Sequence, residues 1–106
     1  MADQIRASHI LIMHEDAEAG SSSRPRADAV KAIDDIKRRL AAGEDFADLA
    51  AENSDCPSGH DGGDLGTFRK GAMVPAFEKA AFALAVNEVS GTVETEFGYH
   101  LIVRTE

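Results

Sequence analysis

Apolar and polar positions along the chain fall into short periodic runs separated by unpatterned segments. Residues 5–14 (IRASHILIMH) read as a strand whose side chains split into two sets. One set is Ile5, Ala7, His9, Leu11 and Met13; the other is Arg6, Ser8, Ile10, Ile12 and His14. Both sets hold apolar residues, so the strand should be covered on both faces and sit centrally in its sheet. Residues 15–24 are polar, with Gly20 and neighbouring serines, and carry no periodicity. Pro25 suits a first helical turn, where its missing N–H costs nothing. From Arg26 the apolar positions Val30, Ile33, Ile36 and Leu40 form a helical stripe, and Gly43 is a natural stop. Basic residues at 37–39 complement the C-terminal end of that helix dipole. A second short helix is expected over 45–53, with Phe46, Leu49 and Ala50 on its apolar face.

The pattern then breaks. Asn53 to Gly66 (NSDCPSGHDGGDLG) is too rich in glycine and turn residues for a helix, so it reads as an irregular loop leading to a short strand at 64–68. Pro75 begins a third helix with Phe77, Ala80, Ala81 and Leu84 on one side. A strand pair follows at 92–95 and 98–104, joined by a tight turn near Glu96–Gly98. In the last strand Tyr99, Leu101 and Val103 alternate with His100, Ile102 and Arg104. The order is β-α-α-β-α-β-β, without repeats or a long linker. It predicts one α+β domain, residues 1–106, built on a small, mostly antiparallel sheet.

Composition narrows the function classes. The 106 residues include 19 acidic and 11 basic side chains, for a net charge of −8, which argues against a nucleic-acid partner. The longest apolar runs fall far short of the ~20 residues that span a membrane. MADQIRAS contains no apolar signal core, and a single cysteine excludes an internal disulfide; both fit a cytoplasmic protein.

Polar residues in apolar settings are the candidates for chemistry: His9 in the first strand, Cys56 in the glycine-rich loop, Thr95 before the hairpin turn and His100 in the last strand. Leu65, Met73, Phe77 and Phe97 lie around them and could line a pocket. Strand histidines are often satisfied core residues, and Met73 and Phe77 have ordinary core spacing. Cys56 and His60 are spaced C-x₃-H, with His9 and His14 as conceivable further ligands. Zinc would need a second close pair, and His9 and His14 should point to opposite faces of their strand. Pro57 follows Cys56 directly, and no cysteine-protease signature surrounds it. GHDGGDLG contains neither nucleotide-loop pattern, and its aspartates would repel phosphate.

Taken in order, SHILI at 8–12, SDCPSGHDGGDLGTFRKGAMVPAFEKAAF at 54–82 and FGYHLIVR at 97–104 resemble the parvulin-type peptidyl-prolyl cis/trans isomerases, closest in motif to the small single-domain bacterial members. The resemblance runs from about Ile5 to the end. It implies a four-stranded antiparallel sheet surrounded by helices and a groove for proline. It implies rotation about X–Pro bonds in proline-containing peptides and in unfolded or partly folded proteins, by a monomer without metal or other cofactor. His9 and His100 match the family's first- and last-strand histidines, Cys56 its active-site Cys/Asp position, and Thr95 the threonine that hydrogen-bonds with the histidine pair. Leu65, Met73 and Phe77 match the apolar pocket for the proline ring. Phe97 stands where phospho-specific eukaryotic members tend to have a small polar residue, and adds to the apolar wall.

Phospho-Ser/Thr-Pro members hold phosphate with a lysine just after the first strand and arginines in the next loop. Here Met13 takes the lysine position and the next residues include Glu15, Asp16 and Glu18, leaving Arg24 and Arg26 as candidates. An isomerase that does not require phosphate, and prefers uncharged or basic residues before proline, is expected. A non-catalytic module that holds proline-containing segments, and a metal or redox sensor built on Cys56 and His60, are the competing readings.

Overall fold

The computed structural model describes residues 4–16 and 24–106. Its elements are β1 (Gln4–Ile12), α1 (Arg26–Ala41), α2 (Phe46–Asn53), β2 (Asp64–Arg69), α3 (Pro75–Phe82), β3 (Val93–Thr95) and β4 (Gly98–Arg104). This is the expected β-α-α-β-α-β-β order. Every pairing is antiparallel and the sheet order is β2-β1-β4-β3, so the first and last strands are the central neighbours. The two-faced apolar pattern of β1 is explained by that position.

Strand alternation divides the interior in two. Ile10 and Ile12 of β1, with Tyr99 and Leu101 of β4, pack against Ile33 and Ile36 of α1 and Leu49 of α2. Ile5 and Ala7 of β1, with Ile102 of β4, pack against Phe77 and Ala81 of α3 and Phe68 of β2. His9 and His100 belong by parity to this second, α3-facing side.

Several boundaries differ from expectation. The stripe of α1 is Ala29, Ile33 and Ile36, while Val30 is 39% exposed. At about 100° per residue, Ala29 falls in line with Ile33 and Ile36 and Val30 turns to the helix flank. β1 stops at Ile12 rather than residue 14, because the Met13 N–H leaves the ladder and donates to Asp55 Oδ2 at 2.8 Å. Beyond it, the Glu15 N–H donates to the Arg24 carbonyl at 2.8 Å and joins the two ends of the polar loop. Residues 17–23 of that loop, Gly20 and the serines among them, lie outside the described residues. Leu84 is buried but follows the end of α3. The glycine-rich segment is not wholly irregular: Pro57–Asp61 form a 3₁₀ turn, opened by Pro57 and closed by Gly62 at φ 71°. A short 3₁₀ turn needs little periodicity, so the glycines masked it.

Two glycines hold the site's backbone together. Gly63, at φ 85°, accepts the His9 N–H on its carbonyl at 2.9 Å, and a Cβ there would stand 2.3 Å from the His9 carbonyl oxygen. Gly98, at φ 141°, would place a Cβ 2.5 Å from the Ile12 carbonyl oxygen. Both positions therefore need glycine for close approach as well as for backbone conformation. Gly63→Ala should destabilise the fold by roughly 2–3 kcal/mol, read as a lower urea midpoint with an unchanged m-value. An unchanged midpoint would show that the β1 backbone moves aside freely.

Candidate active site

The α3-facing side of the sheet does not close over completely. Between β1, β4, α3 and the segment around Cys56 lies a cavity of about 460 Å³. His9, His100 and Phe77 line its depth, Leu65, Met73 and Phe97 its walls, and Cys56 and Pro57 its edge. Leu11, Met13, Ala72 and Val74 complete the lining. The helix start that bears Phe77 is anchored by Glu78, whose Oε1 accepts the Gly71 N–H from the loop after β2.

The two histidines come from strands whose register pairs Leu11 with His100 and His9 with Ile102, which makes the rings diagonal neighbours. Their centroids lie 5.2 Å apart with planes 21° from parallel, and their Nδ1 atoms are 3.1 Å apart. Phe77 meets both edge-on, at 5.6 Å from His9 and 5.3 Å from His100. Thr95 Oγ1 lies 2.7 Å from His100 Nε2 and accepts the Phe97 N–H at 3.2 Å. Thr95 thus braces His100 from the β3–β4 turn, which exposes Phe97 beside the groove.

Cys56 is held by its own segment. Ser54 Oγ accepts the Leu11 N–H at 3.0 Å and the Cys56 N–H at 3.4 Å, while the Asp55 N–H donates to the Leu11 carbonyl at 2.7 Å. These bonds lay the chain from 54 to 56 along the end of β1 and leave Cys56 half-buried at the groove. One polar member was missed by the sequence reading. Ser58, in the 3₁₀ turn, places its hydroxyl 3.2 Å from Cys56 Sγ and 3.2 Å from His9 Nε2. Its signal was hidden because the segment reads as irregular. Leu11 and Met13, also missed, share the alternating set of His9, so parity alone could have placed them on this face.

His9 and His100 are 5% and 4% exposed. Burial pushes His9 down to about 4. Burial, together with repulsion from His9, pushes His100 down to about 3. Both rings are therefore neutral near pH 7 and act as hydrogen-bonding groups rather than charges.

The other candidates lie elsewhere. His60 is exposed on the 3₁₀ turn, and His14 packs at 5.0 Å on Tyr99 of the α1-side core, so neither joins the groove. Among the described residues no group of three or more His, Cys, Asp or Glu is arranged to hold a metal ion. Nor is any described helix long and apolar enough to cross a membrane. Arg24 donates to the Met13 carbonyl at 2.9 Å and to Asp55 Oδ2 at 2.8 Å. Arg26 donates to the Tyr99 hydroxyl at 2.7 Å and to Glu94 Oε2 at 2.5 Å.

The PPIC-type PPIase domain, or rotamase, matches residues 9–106. The peptidyl-prolyl cis-trans isomerase Pin1 of Digitalis lanata is 40% identical over 115 residues, covering 98% of this chain and 98% of that protein. The foldase protein PrsA of Halalkalibacterium halodurans is 44% identical over 104 residues, covering 97% of this chain but 27% of that protein. The solved peptidyl-prolyl isomerase ESS1 from Candida albicans superposes with a TM-score of 0.90 at 39% identity, over 98% of this chain and 63% of that one.

The buried imidazoles make stability depend on pH in a definite direction. In the unfolded chain they titrate near 6.5, so on acidification the unfolded state takes up protons that the folded site refuses until about pH 4 and 3. Stability is full above pH 6.5 and is lost as the pH falls through that window. The contribution of the two rings has a slope of at most about 2.7 kcal/mol per pH unit. Urea titrations between pH 7 and 4.5 should show this decline, and His100→Asn should flatten it. Equal slopes in the two proteins would contradict the neutral buried pair.

Proposed function

Because this chain belongs to the parvulin family of peptidyl-prolyl cis/trans isomerases, we propose that the groove over the histidine pair holds the proline of an X–Pro bond and turns it without requiring phosphate. The observation that carries this reading is the apolar cavity lying directly above two neutral, mutually hydrogen-bonded imidazoles. The activity itself is that of the family, and its substrates are proline-containing peptides and client proteins.

The chemistry suits such a groove. The imide barrier, ~18–20 kcal/mol, arises from resonance, and no covalent bond need break. Cis and trans X–Pro differ by only ~0.5–1 kcal/mol, so the task is to raise a rate. A planar amide is more polar than one twisted out of conjugation. Surroundings poor in water therefore favour the twisted form relative to the ground state. Leu65, Met73, Phe77 and Phe97 grip the pyrrolidine ring. Cys56, at the groove's edge, lies beside the rotating carbonyl and acts as a polar partner rather than a nucleophile. His9, His100 and Thr95 keep the floor rigid and orient the thiol through a paired, buried network.

Phosphate independence is supported by the engagement of both candidate arginines. Arg24 is tied to Asp55 and Arg26 to Glu94, so an incoming phosphate would have to displace a carboxylate from each. Met13 contributes an apolar surface where a phosphate reader would need a cation. With Leu11 and Pro57 it gives the cavity room beyond the proline ring for an uncharged side chain before proline, while the acidic surroundings tolerate a basic one. The clients are unstructured or partly folded chains whose X–Pro bonds are accessible.

A protease-free isomerisation assay on matched Ser(P)-Pro, Glu-Pro, Leu-Pro and Arg-Pro peptides should give kcat/KM values that are highest for Leu-Pro and Arg-Pro. A strong preference for the phosphorylated peptide would overturn the specificity and point to Arg24 and Arg26. No rate enhancement on any peptide would leave a holding module. In the same assay Cys56→Ala should lose roughly ten-fold, the size of one polar contact at the transition state, and Cys56→Asp should retain more. If Cys56→Ala matched the wild type, the thiol would have no polar role.

A further inference from the structure

Two of the apolar side chains at the groove, Met73 and Phe77, stand on one short stretch of chain. β2 ends at Arg69 and α3 begins at Pro75. Between them and on the first turn of the helix, Ala72, Met73, Val74 and Phe77 supply four of the twelve residues that line the cavity. The backbone ties of this stretch are local. The Ala72 N–H donates to the Arg69 carbonyl at 3.2 Å, and the Glu78 N–H donates to the Val74 carbonyl at 3.0 Å. Neither bond joins the turn after β2 to the helix. No side chain caps α3, whose N-cap position is held by Val74. Met73 and Val74 pack on the α3-side core, but apolar packing is non-directional. Lys70 adds a loose tie to the far end of α3, with its ammonium 5.5 Å from the Phe82 ring centroid. The directional link is Glu78. Its carboxylate, on the first turn of α3, reaches back seven positions and accepts the Gly71 N–H.

We propose that Glu78 is a positioning residue for the isomerase reaction: by closing the loop 71–78 it holds Met73 and Phe77 as one wall before the substrate arrives. Glu78 itself does not line the cavity and acts through those two side chains. Without the bond, the turn and the helix start move independently and the wall is formed for only part of the time. Apparent affinity then falls by that fraction. The wall meets the pyrrolidine ring in the planar and the twisted states alike, so the loss falls on KM rather than on kcat. This distinguishes Glu78 from Cys56, whose polar contact is with the rotating carbonyl. The bond needs reach as well as an acceptor. Aspartate keeps the charge that suits a helix N-terminus but is one methylene short, whereas glutamine keeps the reach and a carbonyl oxygen without the charge. The inference rests on the reading of the groove as the proline site; closure of the loop can be observed without it.

The test compares wild type with Glu78→Ala, Glu78→Asp and Glu78→Gln. Amide hydrogen exchange at Gly71 reads the bond directly, because the residue is exposed and has no shelter of its own. Steady-state isomerisation of a Leu-Pro peptide gives kcat and KM, and a titration of the same peptide followed on the Met73 methyl gives Kd. Gly71 should exchange about ten-fold or more slowly than a free glycine in wild type, and that protection should be lost in the Ala and Asp variants. In both variants KM and Kd should rise by about ten-fold, the share of one charge-assisted bond in preforming the wall, with kcat within about two-fold. Glu78→Gln should keep the protection and hold KM within about three-fold of wild type. An unprotected Gly71 in wild type overturns the proposal, as does an unchanged KM in the Ala and Asp variants. A Glu78→Gln protein as impaired as Glu78→Ala would show that charge matters and the bond does not, and overturns it too. If Glu78→Ala does not fold, the contrast between Asp and Gln decides. The expected order of protection and Kd in a protein that turns over no peptide would support the positioning role and sink the isomerase reading instead.

Discussion

The groove of this molecule is built over one hydrogen bond between two imidazoles, and the pairing of the first and last strands is the constraint that makes it. His9 and His100 are 91 positions apart in the chain, yet their Nδ1 atoms meet at 3.1 Å. The contact exists because the first and last strands are central neighbours and pair in one register, Leu11 opposite His100. Strand side chains alternate with a period of two, so a slip of one residue would send one ring to the other face. The apolar parity of β1 and β4 protects against that slip. It would expose Ile10, Ile12, Leu101 or Ile102, all nearly inaccessible to solvent. The core therefore enforces the polar contact more than the contact enforces the core.

Burial of that pair sets the character of the groove. Two polar rings under Phe77 are tolerable only when neutral and satisfied, and Thr95, Ser58 and the rings themselves supply the partners. The result is a floor that is polar inside and presents an apolar cavity above. This combination fits a reaction in which the amide becomes less polar as it twists. The backbone clamps are made with the same economy: the Ser54 hydroxyl fastens both Leu11 and Cys56, and the Gly63 carbonyl fastens His9. The cysteine and the histidine are thus held against the same strand.

Electrostatics at the rim follow a different rule from the interior. Arg24 and Arg26 have the charge to attract an anion, but each is spent on a carboxylate brought by the fold, Asp55 from the segment before Cys56 and Glu94 from β3. These pairs are partly exposed and contribute little to stability. Their consequence is for recognition, since they lower the positive field in front of Met13.

The chain's own pattern determined the seven-element order, the central place of β1 and the parity that puts His9 with Leu11 and Met13. It did so because alternation and helical stripes are local signals, written within a few residues of one another. The ordered motifs around GGDLG and FGYH identified the family for the same reason. It misplaced Val30 and read past the 3₁₀ turn, where five residues are too few to show a period and glycine conceals them. It could not show that Ser58 lies between a thiol and an imidazole, that Arg24 faces Asp55, or that Gly63 must be bare for His9 to fit. Those facts depend on distances between segments remote in sequence, and only the closing of β4 against β1 brings the segments together.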